Sequence, residues 1–128
     1  MADLDLNEIK KYTGLVIKTL DEKKAVDIKV IDISNVSVMA DYFVIASGNN
    51  RNQIQMLSDE IDSRLSKEGL NCRQIEGYES ASWVLMDFGD IIVHIFDKEN
   101  RLFYDLERIW CDGKETDLAE FTNLVSEN

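Results

Sequence analysis

The 128-residue chain contains no proline, one histidine (His94) and two cysteines, Cys72 and Cys111. The cysteines lie far apart and neither belongs to a Cys-x-x-Cys pair. With a single histidine beside them, a zinc site of four sulfur and nitrogen ligands is excluded. Both cysteines read as free thiols of a reducing compartment. No apolar run approaches the roughly 18–20 residues that a membrane helix needs. The opening MADLDLNEIKKY lacks the basic start and apolar stretch of a secretory signal, so the expected location is cytoplasmic, with no membrane partner. The sequence has no Gly-x-x-x-x-Gly-Lys phosphate loop and no Gly-x-Gly-x-x-Gly fingerprint. It has no internal repeat, no low-complexity tract and no segment that reads as a linker.

Positive charge is also scarce. Fourteen Lys and Arg face 25 Asp and Glu, a formal net charge of −11. Gripping nucleic acid takes clustered cations, and long-range repulsion would oppose the approach, so sequence-specific nucleic-acid binding is not expected. Two readings of the charge remain: it keeps the protein soluble, or it draws the domain to a basic protein. Apolar residues make up 45% of the chain, enough for one core and too many for a disordered chain.

What is present is periodic. Leu6, Ile9, Thr13, Val16 and Leu20 recur at three- and four-residue steps and predict a helix over Asp5–Glu22. Val26–Ile33 reads as a strand. Tyr42–Ala46, apolar at every position, reads as a central strand covered on both faces. Ser47-Gly48-Asn49-Asn50 turns the chain into a second helix, Arg51–Glu68. Asn50 is its cap, Gln53 completes a capping-box pattern, and Ile54, Leu57, Ile61 and Leu65 form the buried stripe. Ser58, Asp59, Asp62, Arg64 and Lys67 read as its solvated face. Gly69 ends the helix, with Leu70 placed to fold back onto its last turn. Arg73–Glu76 is a weak strand, a hairpin follows, and ENRLFYDLERIW reads as a short terminal helix. The order helix–strand–strand–helix–strand–strand–strand predicts one α/β domain over residues 1–112, with a mixed sheet of about five strands and helices packed on it. Residues 113–128 read as an acidic C-terminal tail, in which Thr116–Val125 reads either as a further helical turn or two or as mobile.

The hairpin WVLMDFGDIIVHIFD, Trp83–Asp97, carries the chemistry. Gly89 can take the positive φ of a two-residue turn. Phe88 then faces Ile91, Met86 faces Val93 and Val84 faces Ile95, an apolar face for the helices. The other face holds Trp83, Leu85 and Asp87 against Ile92, His94 and Phe96. Either a helix covers it or it stays partly open as a binding surface; the pattern favours covering slightly. Asp87 and His94 are diagonal neighbours there, an arrangement that can orient a general base. Ser80 and Ser82 lie nearby but in no nucleophile elbow. SGNNR can offer backbone N–H groups to an anion, and reads more simply as a turn and helix cap.

DYFVIASG, NRNQIQMLSDEI, EGYESASWVLMDFGDIIVHIF and RLFYDLERIWCD together resemble the Iojap family, the ribosomal silencing factors, from about Leu6 to Asp112. The resemblance implies a nucleotidyltransferase-like topology without enzyme activity, metal or cofactor. It implies binding to the large ribosomal subunit through its ribosomal protein L-fourteen, where the small subunit docks, so that joining is blocked and translation falls when nutrients are scarce. It implies Trp83, Leu85, Phe96, Tyr104, Leu106 and Trp110 as apolar anchors, and Asp87, Asp90, Asp105 and Glu107 as partners for Lys or Arg. His94 lies beside them as a hydrogen-bond donor or a structural residue. A homodimer in the free state is the competing use of that face. The alternatives are a ribosome assembly factor and a nucleotidyltransferase-like enzyme using Asp41 or Asp87, although Asp41 precedes a strand and Ser47-Gly48 follows it, the wrong order for that motif.

Overall fold

The structure, a computed structural model, describes residues 5–34, 40–104, 114–116 and 118–122. The chain runs α1 (Leu6–Glu22), β1 (Val26–Asp32), β2 (Tyr42–Ser47), α2 (Arg51–Lys67), β3 (Gln74–Glu76), β4 (Trp83–Asp87), β5 (Ile91–Phe96), α3 (Lys98–Tyr104), β6 (Lys114–Thr116) and α4 (Leu118–Thr122). Among the described residues six strands form one mixed sheet in the order β3-β4-β5-β2-β1-β6. β2 and β5 pair in parallel at its centre, and the other pairs are antiparallel. The expected crossover after β2 exists. It carries the chain over α2 to the sheet edge at β3, and the antiparallel pairs β3–β4 and β4–β5 bring it back beside β2.

Local signals explain the helices. Asp5 and Glu8 form a capping box at α1, each side chain bonded to the other's backbone N–H. Asn50 Oδ1 accepts from Gln53 N at 2.8 Å and caps α2. The expected return bond from Gln53 lands one residue earlier, with Asn49 N donating to Gln53 Oε1, while Gln53 Nε2 donates to the carbonyls of Lys23 and Lys24. Gln53 thus ties the start of α2 to the end of α1. Gly69, at φ +98°, ends α2, and Leu70 N folds back to the Leu65 carbonyl at 2.9 Å.

One sheet face packs on α1 and α2. Val30, Val44, Ala46, Val84, Met86, Val93 and Ile95 meet Val16, Ile17, Leu20, Ile54, Leu57, Ile61 and Leu65 there. Two helix expectations need correction. Leu6 is 55% exposed, so the stripe of α1 begins at Ile9. Ser58 is buried rather than solvated: it lies between Leu57 and Ile61 on the core side of α2, and its hydroxyl donates to Met86 Sδ. The acidic C-terminal segment contributes to the body, and the further helical turn expected within it is α4. β6 pairs with β1, and Phe121 of α4 is fully buried, its ring edge-on to Tyr42 at 5.1 Å. Leu118 packs against the same core beside Phe121, so a few apolar side chains anchor a segment whose acidic composition concealed it.

Candidate partner-binding face

The hairpin has the register its sequence predicts: Trp83↔Phe96, Val84↔Ile95, Leu85↔His94, Met86↔Val93 and Asp87↔Ile92. Its turn closes with Phe88 N donating to Ile91 O, and Gly89 sits at φ +93°. A Cβ at Gly89 would lie 2.8 Å from Arg73 Cζ, so the glycine also admits the guanidinium over the turn. Gly77 does comparable work at the start of β4. Its φ is +78°, and a Cβ there would stand 2.1 Å from the Trp83 carbonyl oxygen. The loop from Gly77 is held to α2 by Gln55 Nε2 donating to Tyr78 O and by Tyr78 Oη donating to Asp59. Trp83 therefore leaves a braced loop.

The parallel partner extends this face. β2 places Phe43 beside Ile92 and Ile45 beside His94. Ile31, Ile33, Ala40, Phe43, Ile45 and Phe96 form a second apolar cluster, with Trp83 and Ile92 partly buried against it. Trp83 stacks on Phe96 at 5.1 Å and 25°. The two readings of the face are both partly realised. Phe96 and His94 are buried at 1% and 3% exposure, while Trp83, Leu85 and Ile92 remain partly exposed. Phe96 lies beneath the patch and supports it. Phe43 was not singled out from the sequence, because an all-apolar strand shows no alternation; only its pairing with β5 reveals its place.

The acid/base couple does not form. Asp87 Oδ1 accepts from Gly89 N at 2.7 Å, so its carboxylate braces its own turn. His94 Nδ1 accepts from Trp83 Nε1 at 3.0 Å. Burial pushes the imidazole down to a pKa of about 3, so the ring is neutral at physiological pH. With Nδ1 accepting, the proton of the neutral ring sits on Nε2. That atom is buried and finds no hydrogen-bond partner among the described residues, and the Phe43 ring lies edge-on to the imidazole at 4.6 Å. Of the two expectations for His94, hydrogen-bond donor or structural residue, the geometry fits the second: the ring accepts from Trp83 and is buried.

Asp87 and Asp90 stand partly exposed at the hairpin tip. Asp90 O accepts from the backbone N–H of Asp41 and Tyr42. Partial burial, reinforced by the charges of Asp90 and Asp32, holds the Asp41 carboxyl above the usual carboxylate range. Among the described residues no group of three His, Cys, Asp or Glu is placed to hold a metal ion. Burial likewise pushes the Cys72 thiol up, and its Sγ donates to Gln74 O. α3 is capped by Asp97, which accepts from Asn100 N. It is fastened to the sheet by Arg101, whose Nη1 donates to Ser47 Oγ and Val26 O. Tyr104 closes α3, but its side chain, and all of Asp105, Leu106, Glu107, Trp110 and Cys111, lie outside the described residues.

Fold and face together define a small α/β domain with α1, α2 and α4 on one side of a mixed sheet and a partly open aromatic patch on the other. The family model "Ribosomal silencing factor during starvation" matches residues 7–128. The ribosomal silencing factor RsfS of Bacillus subtilis is 41% identical over 109 residues, 85% of this chain and 92% of that protein. That of Zymomonas mobilis is 42% identical over 112 residues, 88% and 84%. A crystal structure of a Chromobacterium violaceum protein superposes with a TM-score of 0.78 at 29% identity, covering 89% of this chain and 92% of that one. The chain belongs to the ribosomal silencing factor family. No described helix is long and apolar enough to cross a membrane.

Proposed function

We propose that this chain binds the large ribosomal subunit through ribosomal protein L-fourteen in the cytoplasm and blocks docking of the small subunit, lowering translation when nutrients are scarce. The observation that carries the reading is the patch of Trp83, Leu85 and Ile92, partly exposed on the sheet face that α1 and α2 do not cover and edged by Asp87 and Asp90. A tryptophan held on a rigid strand is the kind of residue that dominates interface energies. Carboxylates at its edge and a net charge of −11 suit a basic partner. Occlusion over an interface of about 1,600 Å² needs no turnover and no cofactor. Tyr104, Asp105, Leu106, Glu107 and Trp110 would extend the contact along the chain after β5.

The experiment is sedimentation of purified subunits. Excess protein is expected to suppress subunit joining, and Trp83→Ala to weaken large-subunit binding by about 2 kcal/mol, or roughly thirtyfold. Undiminished joining at saturating protein refutes the proposal. A free homodimer hiding Trp83 would appear as inhibition that weakens at high protein concentration. An enzyme would appear as heat on calorimetric titration with nucleotide and Mg²⁺.

A further inference from the structure

The geometry points to His94 as a positioning residue: its Nδ1 fixes the indole of Trp83 in the orientation a partner reads. This rests on the proposal that Trp83 is a recognition residue, and it deepens that reading. Three observations support it. The indole N–H of Trp83 donates to His94 Nδ1 at 3.0 Å, while the indole itself remains partly exposed. The acceptor is anchored from all sides: His94 is 3% exposed, paired with Leu85 and Ile45 on the neighbouring strands, and in ring contact with Phe43. Trp83 and His94 both lie against Phe96, Trp83 stacked at 5.1 Å and His94 near-parallel at 6.3 Å, so one buried ring supports both.

A histidine is an expensive choice for this place. Its Nε2–H is buried without a hydrogen-bond partner among the described residues, and an apolar side chain would leave no such donor. What an apolar side chain cannot supply is an acceptor for the indole. A partly exposed tryptophan without one can turn about its side-chain bonds, and a partner would then have to restrict that freedom on binding. The bond from Trp83 to His94, added to the stack on Phe96, restricts that freedom beforehand.

The test uses three variants of the full chain: His94→Leu, which removes the acceptor; His94→Asn, whose Oδ1 is carried on Cγ as Nδ1 is; and Trp83→Phe. Hydrogen exchange of the Trp83 indole N–H, assigned by its loss in Trp83→Phe, reports the bond in the free protein. Large-subunit affinity reports the consequence. The expected result is a protected indole N–H in the natural chain and in His94→Asn. In His94→Leu exchange is faster and binding is weaker by about three- to tenfold. In a Trp83→Phe background His94→Leu has no further effect on binding, which a merely structural histidine would not produce. The inference is overturned if the indole N–H is unprotected in the natural chain. It is equally overturned if His94→Leu frees that N–H and leaves affinity unchanged, or if the loss persists undiminished beside Trp83→Phe. Failure of the ribosomal reading shows separately, as no binding by the natural chain, and it overturns the recognition role of Trp83 together with this inference.

Discussion

Lowering the pH from 7.5 to 5 crosses the ordinary range of one imidazole in this chain, because His94 is the only histidine. In the unfolded chain it protonates near the ordinary value of 6.5, and in the folded protein only near 3. The unfolded state therefore binds the extra proton throughout the window between those values. Stability is complete above 6.5 and falls as pH drops towards 3. Burial is the whole cause, with no charged neighbour in the balance, so the effect follows from desolvation of the ring. One site with these two values costs about 0.8 kcal/mol at pH 6 and about 2 kcal/mol at pH 5. The assay is urea unfolding of the natural chain and of His94→Asn at half-unit steps from pH 5 to 7.5. Carboxylates contribute alike to both proteins, so the difference isolates the imidazole. The natural chain should lose about 2 kcal/mol more than the variant across the window. A parallel loss in both proteins, or direct NMR titration of the folded imidazole above pH 5, refutes the reasoning.

Phe121→Ala should cost about 3–5 kcal/mol in urea unfolding, since the ring is fully buried; a loss under about 1 kcal/mol would mean that α4 is not part of the core. Gly77→Ala should cost at least about 1–3 kcal/mol through the positive φ and the close Trp83 carbonyl, and should also weaken large-subunit binding by shifting the start of β4; unchanged stability would contradict the loop geometry. Asp41→Asn should raise the melting temperature at pH 7, because a carboxyl with a raised pKa disfavours its charged form in the fold. The gain should vanish below the ordinary aspartate value near 3.8, and a gain independent of pH would assign it to something other than charge. Asn50→Ala should cost about 1 kcal/mol through loss of the cap on α2.

Much of this protein is legible from local chemistry. The caps at Asp5 and Asn50, the stop at Gly69 and the turn at Gly89 all act within a few residues, and each lies where its residue type requires. The hairpin register was readable for the same reason: a two-residue turn leaves one pairing that puts Val84, Met86, Val93 and Ile95 on the core side. The candidate face was legible only in part. Its alternation showed that Trp83, Leu85, Ile92, His94 and Phe96 share a side. How much water each one meets depends on elements far away in the sequence.

Those distant elements meet only once the chain is folded. Parallel pairing of β2 with β5 brought Phe43 and Ile45 onto the face, and no short-range signal specifies a crossover that skips two strands. Ser58 became a core residue because α2 meets Met86. Phe121, with Leu118, drew the acidic C-terminal segment into the body because Tyr42 offered a place for its ring. Asp87 and His94, one diagonal apart, found other partners: a carboxylate bonds the nearest backbone N–H available, here Gly89, and a buried imidazole takes a neighbouring indole rather than a proton. Local pattern alone sets which residues share a strand and a face. The fold determined which of them are charged, buried or open, because those properties depend on desolvation and contact across the whole sheet.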